Sequence, residues 1–344
     1  MIRRRDAYNL AGRNTFRMDV GCACWIEYDS PEDLSELDLA ALPQPVVHVG
    51  AGSNLLFTGD FPGTLLHSNI KYYKPVADAE EEVLVEVGAG VVFDDFCAWA
   101  SDNELWGAEN LSGIPGEVGA AAVQNIGAYG AEVKDIIAQV KCFDLEERRI
   151  VTFAPAQCAY GYRDSAFKHT PLKGRQVVLG VLFRLSKAPR PHLDYGPLKT
   201  AFAQAAPAHP VEVRQLILQI RAAKLPDPAL IGSAGSFFKN PVVDSATFAD
   251  VVAIAPHFDL PDGLVKIPAA WLIEQCGLKG AKLGEAAVYD KQPLVIVNAT
   301  GTARPADILA LEKTVIDAVR DRFGIELHPE VEHIGPDPET PKKI

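Results

Sequence analysis

Residues 112–130 carry almost no side-chain bulk: five glycines and five alanines or prolines fall among nineteen positions. A stretch this bare has to pass very close to something flat or crowded. It reads as a loop whose backbone lies against a ligand, with Gln124 and Asn125 as polar fingers. The alternative is two backbones packed tightly inside one domain.

The flanking sequence predicts a mixed frame around that run. Residues 46–49, 83–87 and 177–182 are apolar runs bounded by Gly and read as strands, while Phe93, Phe96, Cys97, Trp99 and Ala100 have helical spacing over 93–104. The fold class is therefore α+β. After Pro207 and Pro210 the pattern changes: Val213, Leu216, Ile217 and Ile220 predict a helix that stops before Pro226, with a domain boundary near 205. Further helices are expected around 246–255, 269–276 and 306–323, the last with Ile308, Leu311, Val315, Val319 and Phe323 on one face and Gly324 just beyond. A strand over 294–297 completes a sheet-on-helix layer. At 344 residues the chain exceeds what one core usually holds, so two or three domains are expected. The tail, 335–344, is polar and Pro-rich and is expected to be disordered.

Lys+Arg 33 against Asp+Glu 45 gives a net charge of −12, which disfavours a nucleic-acid binder and leaves any anionic ligand to a local cationic cluster. No run of 18 apolar residues is present, so no membrane insertion is expected. The basic start Met1-Ile2-Arg3-Arg4-Arg5 leads into polar Asn14-Thr15-Phe16-Arg17 and not into an apolar segment, which reads as cytoplasmic and not secreted. The six cysteines lack metal-type pairing, Cys22-Ala23-Cys24 being too tight, so they read as reduced thiols with no metal site.

Four more segments carry chemistry. Val49-Gly50-Ala51-Gly52-Ser53-Asn54 runs from a strand into a turn whose successive N–H groups can form an anion-holding nest, with Ser53 and Asn54 as extra donors; a plain hairpin turn is the alternative. Gly161-Tyr162-Arg163-Asp164-Ser165 offers Arg163 as a bidentate clamp for a carboxylate, or else a surface Arg–Asp pair. Ala234-Gly235-Ser236-Phe237-Phe238-Lys239-Asn240-Pro241 fits neither a helix nor an ordinary strand and looks reactive at Ser236. Pro329-Glu330-Val331 places a glutamate near the end of the last strand and by itself says nothing.

Together these five motifs, in this order, resemble the UDP-N-acetylenolpyruvoylglucosamine reductase family of bacterial peptidoglycan precursor synthesis, over about residues 14–334. The resemblance implies an FAD-binding domain of the vanillyl-alcohol-oxidase type, with two α/β subdomains, plus a C-terminal α+β substrate domain. Residues 1–70, completed by about 325–344, would form the first subdomain, 71–205 the second and 206–324 the substrate domain. FAD would be held non-covalently by Gly50, Ala51, Gly52, Ser53, Asn54, Gly113, Ile114, Pro115, Gly116, Gly119, Gln124, Asn125, Gly127 and Ala128, with NADPH as co-substrate.

The implied reaction passes hydride from reduced flavin to the enolpyruvyl double bond of the UDP-sugar, giving the lactyl ether of UDP-N-acetylmuramate. Hydride at the terminal carbon pushes electrons toward the carboxylate, so cations or donors are required there. By motif, Arg163 and Glu330 stabilise that intermediate and Ser236 supplies a proton to the internal carbon. A bare carboxylate beside that charge would repel it, so Glu330 either carries a proton, the form favoured here, or acts through Arg163 and water. Tyr129, Tyr195, Lys224, Asn240, Lys266 and Gln292 carry over as substrate contacts, Tyr195 matching the mobile tyrosine loop of one family subtype. Lys239 joins Lys224 and Lys266 as a further candidate cation. Ala122 and Glu285 depart from residues common among relatives. The partner implied is the enolpyruvyl UDP-sugar alone, with the protein a monomer. Two other classes stay open: a flavin oxidase with FAD tethered through His48, and a non-catalytic nucleotide binder.

Overall fold

The computed structural model describes residues 1–336; residues 337–344, most of the tail expected to be disordered, lie outside the described residues. Its first sheet runs in the order Arg3–Asn9, Gly21–Tyr28, Phe61–Ser68, Val46–Val49. Gly21–Tyr28 and Val46–Val49 both lie parallel to Phe61–Ser68, and Leu65 stands opposite Trp25 on one side and Val47 on the other. Because side chains alternate along a strand, Cys24, Ile26 and Tyr28 share a face, and Trp25 takes the opposite one. A register shift between Cys22 and Cys24 turns Cys22 onto the Trp25 face. Both faces are covered.

The Cys24 face packs on Phe143, Val177 and Leu179, which belong to a five-stranded antiparallel sheet. That sheet is ordered Arg149–Phe153, Ile137–Asp144, Gln176–Ser186, Glu82–Gly88, Tyr73–Asp78. On its far side lie the helices Phe93–Asp102 and Val118–Gln124, with Phe96 stacked on Phe183 at 4.3 Å between ring centres. The helix Val118–Gln124 occupies the middle of the run expected to be loop. Its bareness has a packing cause: a side chain at Gly119 would come within 2.9 Å of the Ala89 Cβ, so only glycine lets helix and strand approach so closely. Tight backbone packing therefore explains the centre of that run, and its two ends remain turns.

The Trp25 face packs on the C-terminal part through one continuous core that includes Phe16, Phe237, Leu272, Ile308 and Val315. Here Gly232–Ser236, Val295–Asn298, Ala286–Val288 and Lys282–Leu283 form a sheet backed by the helix Pro305–Phe323, which Gly324 ends at φ +68°. The expected helix around 246–255 shrinks to Ala249–Val252. The helix Pro210–Lys224 buries Val213 and Ile217 against Trp106 and Leu198. After the last helix the chain returns to the first domain, where Glu332–Ile334 pairs in parallel with Leu55–Phe57. Glu330 thus stands just before the last strand and not near its end.

Candidate active site

The Val46–Val49 strand delivers Gly50, Ala51, Gly52, Ser53 and Asn54 into a turn facing Gly113, Ile114, Pro115 and Gly116, and Ser53 Oγ donates to the Pro115 carbonyl at 3.1 Å. Among the described residues the N–H groups of Ala51, Gly52, Ser53 and Asn54 have no acceptor in the protein. Gly52 sits at φ +68°, where a Cβ would meet the Arg13 carbonyl at 2.3 Å, so no other residue fits. Successive free amides beside a left-handed glycine are the donor set that a pyrophosphate requires, and the residues present fit FAD. Across the turn, Asp94 accepts from the Gly113 N–H at 2.6 Å and from both Arg214 terminal nitrogens, fastening this loop to the helix Pro210–Lys224.

A buried polar column stands behind Gly50. His67 Nε2 bonds Glu117 at 2.9 Å, its ring stacks on Trp25, and Glu27 receives Arg13 at 2.9 Å. His48, the tether of the oxidase alternative, has its Nε2 on the Tyr28 hydroxyl at 2.6 Å.

The helix Val118–Gln124 ends at Asn125 in the left-handed region (φ 48°), and Gly127 and Ala128 follow in a two-residue strand. Asn125, expected as a finger on the cofactor, is 0% exposed and uses its amide on the Gly161 carbonyl at 2.7 Å and on Glu132. Its side chain shapes the turn. Gln124 instead bridges outward, donating to Glu330 Oε1 at 3.5 Å and accepting from Lys168 at 2.7 Å.

Arg163, Glu330 and Ser236 come from three distant segments. Arg163 also sits at positive φ (54°), a conformation that a residue with a Cβ adopts at a cost, and it is held there by its contacts. Its Nε donates to Glu330 Oε1 at 3.0 Å and its Nη2 to the Gly127 carbonyl. Glu330 is fixed in turn by its own N–H on the Phe237 carbonyl at 2.8 Å, and Asn54 Nδ2 donates to the Glu330 carbonyl at 3.1 Å. Since Phe237 follows Ser236, the serine, the glutamate and the nest turn are linked through one backbone bond and one bond from the Asn54 side chain. Ser236 ends Gly232–Ser236 after a register shift, with Gly235 at φ +72°, so the strand departs from its ladder where the hydroxyl emerges. Among the described residues that hydroxyl has no hydrogen-bond partner.

The expected substrate contacts divide into two groups. Gln292 lies in the turn before Val295–Asn298, whose Val295 pairs with Ser236, and Asn240 accepts from the Ala269 N–H at 2.9 Å at the start of a helix. Lys266 stands over the Tyr162 ring at 4.9 Å, and Arg163 over the same ring at 5.3 Å. Farther off, Tyr129 meets Tyr195 edge-on at 5.4 Å, Tyr195 is exposed, and Lys224 is the exposed last residue of its helix. Lys239 contributes its backbone N–H to the His328 carbonyl at 2.9 Å.

Three residues escaped the sequence. Tyr162 is the ring that joins Arg163 to Lys266. Arg221, one helical turn before Lys224, lies close enough to Tyr129 to interact with its hydroxyl; burial pushes its guanidinium below the usual value, and among the described residues it has no ion pair. Its spacing from Lys224 on one helix face was the available signal. Lys168 is the third.

Residues 23–153 match the family model described as an FAD binding domain, and residues 227–334 match the C-terminal domain of UDP-N-acetylenolpyruvoylglucosamine reductase. A protein of that name from Bacteroides fragilis is 47% identical over 95% of this chain and 99% of its own length. One from Porphyromonas gingivalis is 42% identical over 96% of this chain and 99% of its own. The crystal structure of the Thermus caldophilus reductase superposes with a TM-score of 0.68 at 23% identity, covering 97% of this chain and 99% of that one.

Proposed function

The chain belongs to the UDP-N-acetylenolpyruvoylglucosamine reductase family, and on that premise we propose that it uses NADPH and FAD to reduce the enolpyruvyl group of UDP-N-acetylenolpyruvoylglucosamine to UDP-N-acetylmuramate in peptidoglycan precursor synthesis. The observation that carries the assignment of roles is the link from Ser236 through Phe237 to Glu330 and Arg163, beside a turn of free amides.

FAD held here would supply the hydride chemistry that connects NADPH to the enolpyruvyl double bond. The chain supplies the rest. The amides of Ala51, Gly52, Ser53 and Asn54 hold the pyrophosphate, and Gly113, Ile114, Pro115, Gly116, Gly127 and Ala128 complete that wall, while the Gln124 side chain turns to Glu330 and Lys168 and Gly119 packs on Ala89. Arg163 faces the substrate carboxylate and holds the negative charge that grows there as the terminal carbon receives hydride. Of the two roles the sequence left open for Glu330, the Arg163 pair at 3.0 Å favours the second over the proton-carrying form preferred there: Glu330 acts through Arg163 by fixing the guanidinium plane. The lone Ser236 hydroxyl gives its proton to the internal carbon, and water restores it. Lys224, Lys266, Arg221, Tyr129, Tyr195, Asn240 and Gln292 orient the UDP-sugar, with the cations matching its diphosphate.

Residues 1–70 with 325–336, and 71–205, are assigned to the cofactor, and 206–324 to the substrate. A cytoplasmic monomer is the setting proposed, since NADPH and nucleotide sugars are found inside the cell. Mass spectrometry tests the assignment: with NADPH present, the enolpyruvyl UDP-sugar should gain two hydrogens, and an unchanged sugar would contradict it.

A further inference from the structure

Lys168 lies on the short turn Ala166–Lys168, and its side chain is only 13% exposed. Its ammonium reaches three places at once: Gln124 Oε1 at 2.7 Å, Glu332 Oε1 at 3.0 Å and the Arg163 carbonyl at 3.4 Å. An ammonium can only donate, so it decides which way the Gln124 amide points. With Oε1 held by Lys168, the amide must present its NH₂ to Glu330 Oε1, 3.5 Å away, the same oxygen that receives Arg163 Nε at 3.0 Å. One carboxylate oxygen thus has two donors, and Oε2 is left for other work. Glu332 anchors the ammonium from the last strand, where its own N–H bonds the Asn54 carbonyl at 3.0 Å.

We propose that Lys168 is a positioning residue for the reaction: by fixing the Gln124 amide it holds Glu330, and through it Arg163, in the orientation that receives the substrate carboxylate. Without the ammonium the amide is free to turn its carbonyl toward Glu330, which repels the carboxylate and loosens the Arg163 pair. This rests on the roles given above to Glu330 and Arg163. The mechanism concerns orientation, so the substrate-reducing step should suffer and substrate affinity should not.

The test uses FAD-loaded full-length protein. In Lys168→Met, reduction of the flavin by NADPH should keep its rate, and the substrate dissociation constant from titration should hold. Reoxidation by saturating enolpyruvyl UDP-sugar should slow by about 10²-fold, as misplacement near 1 Å typically does. Lys168→Arg, which keeps the donors, should recover most of that loss. Wild-type reoxidation in Lys168→Met, an equal fall in both half-reactions, or a Lys168→Arg no faster than Lys168→Met would each overturn the proposal. Should Lys168→Met fail to hold FAD, Glu332→Gln decides instead: a slowed reoxidation supports the anchor and a wild-type rate overturns it. Failure of the function itself looks different, because wild-type flavin would then not reoxidise with this sugar at all.

Discussion

The role proposed for Ser236, proton donor, rests on what does not touch its hydroxyl. A hydroxyl tied to a backbone carbonyl has a fixed hydrogen; this one ends a strand at a register shift, after a glycine at φ +72°, with no partner among the described residues. Ser236→Ala should leave reduction of flavin by NADPH near normal and slow the substrate half-reaction by about 10² to 10⁴, the usual effect of losing one positioned proton donor. Equal loss in both halves, measured by stopped-flow absorbance, would refute that role. Ser236, Arg163 and Glu330 were legible as odd residues in recognisable motifs, but their partnership was not, since 167 positions separate Arg163 from Glu330. Tyr162 and Lys168 are illegible for the same reason, while Arg221 is signalled only by its spacing from Lys224. A lysine or tyrosine in sequence gives no sign of which ring or amide it will meet after folding.

At the level of elements, the bare run 112–130 shows how composition misleads. Small residues were read as loop, yet the helix Val118–Gln124 forms because Val118, Ala121 and Ala122 bury against the sheet and Gly119 lets it approach Ala89. Long periodic helices such as Pro305–Phe323 are readable to within a residue, because burial repeats along them; the single turn Ala249–Val252 has no fully buried residue, only half-buried Val251 and Val252 against the core, and so offers no repeat that sets its ends. The loop ahead of Val118–Gln124 depends on Asp94. Burial would raise that carboxyl, but bonds from Arg214 and the Gly113 N–H outweigh burial and hold it below its ordinary value. A depressed folded value means that the contribution to stability is present above the ordinary Asp range and is lost as pH falls through the folded value. Asp94→Asn should therefore cost about 1–2 kcal/mol at neutral pH and lower Tm. It should also flatten the acid limb of the stability curve. An unchanged Tm at pH 7 would show that the tether contributes nothing.

Over the whole molecule, the central strands of the first sheet are buried on both faces, one against the five-stranded sheet and one against the C-terminal core, and the chain then returns to add Glu332–Ile334 beside Leu55–Phe57. That return brings Glu330 to Asn54 and Arg163, so closing the fold and completing the site are the same event. The sequence showed an α+β class and a break in pattern near 205, while the return was invisible because a three-residue strand has no periodicity. On the function proposed, one site reduces flavin with NADPH and discharges it onto an enolpyruvyl UDP-sugar. The most direct test is anaerobic: reduce the bound flavin with NADPH, add the enolpyruvyl UDP-sugar and follow the visible flavin band. The band should return within turnover, and a flavin that stays bleached would contradict the account.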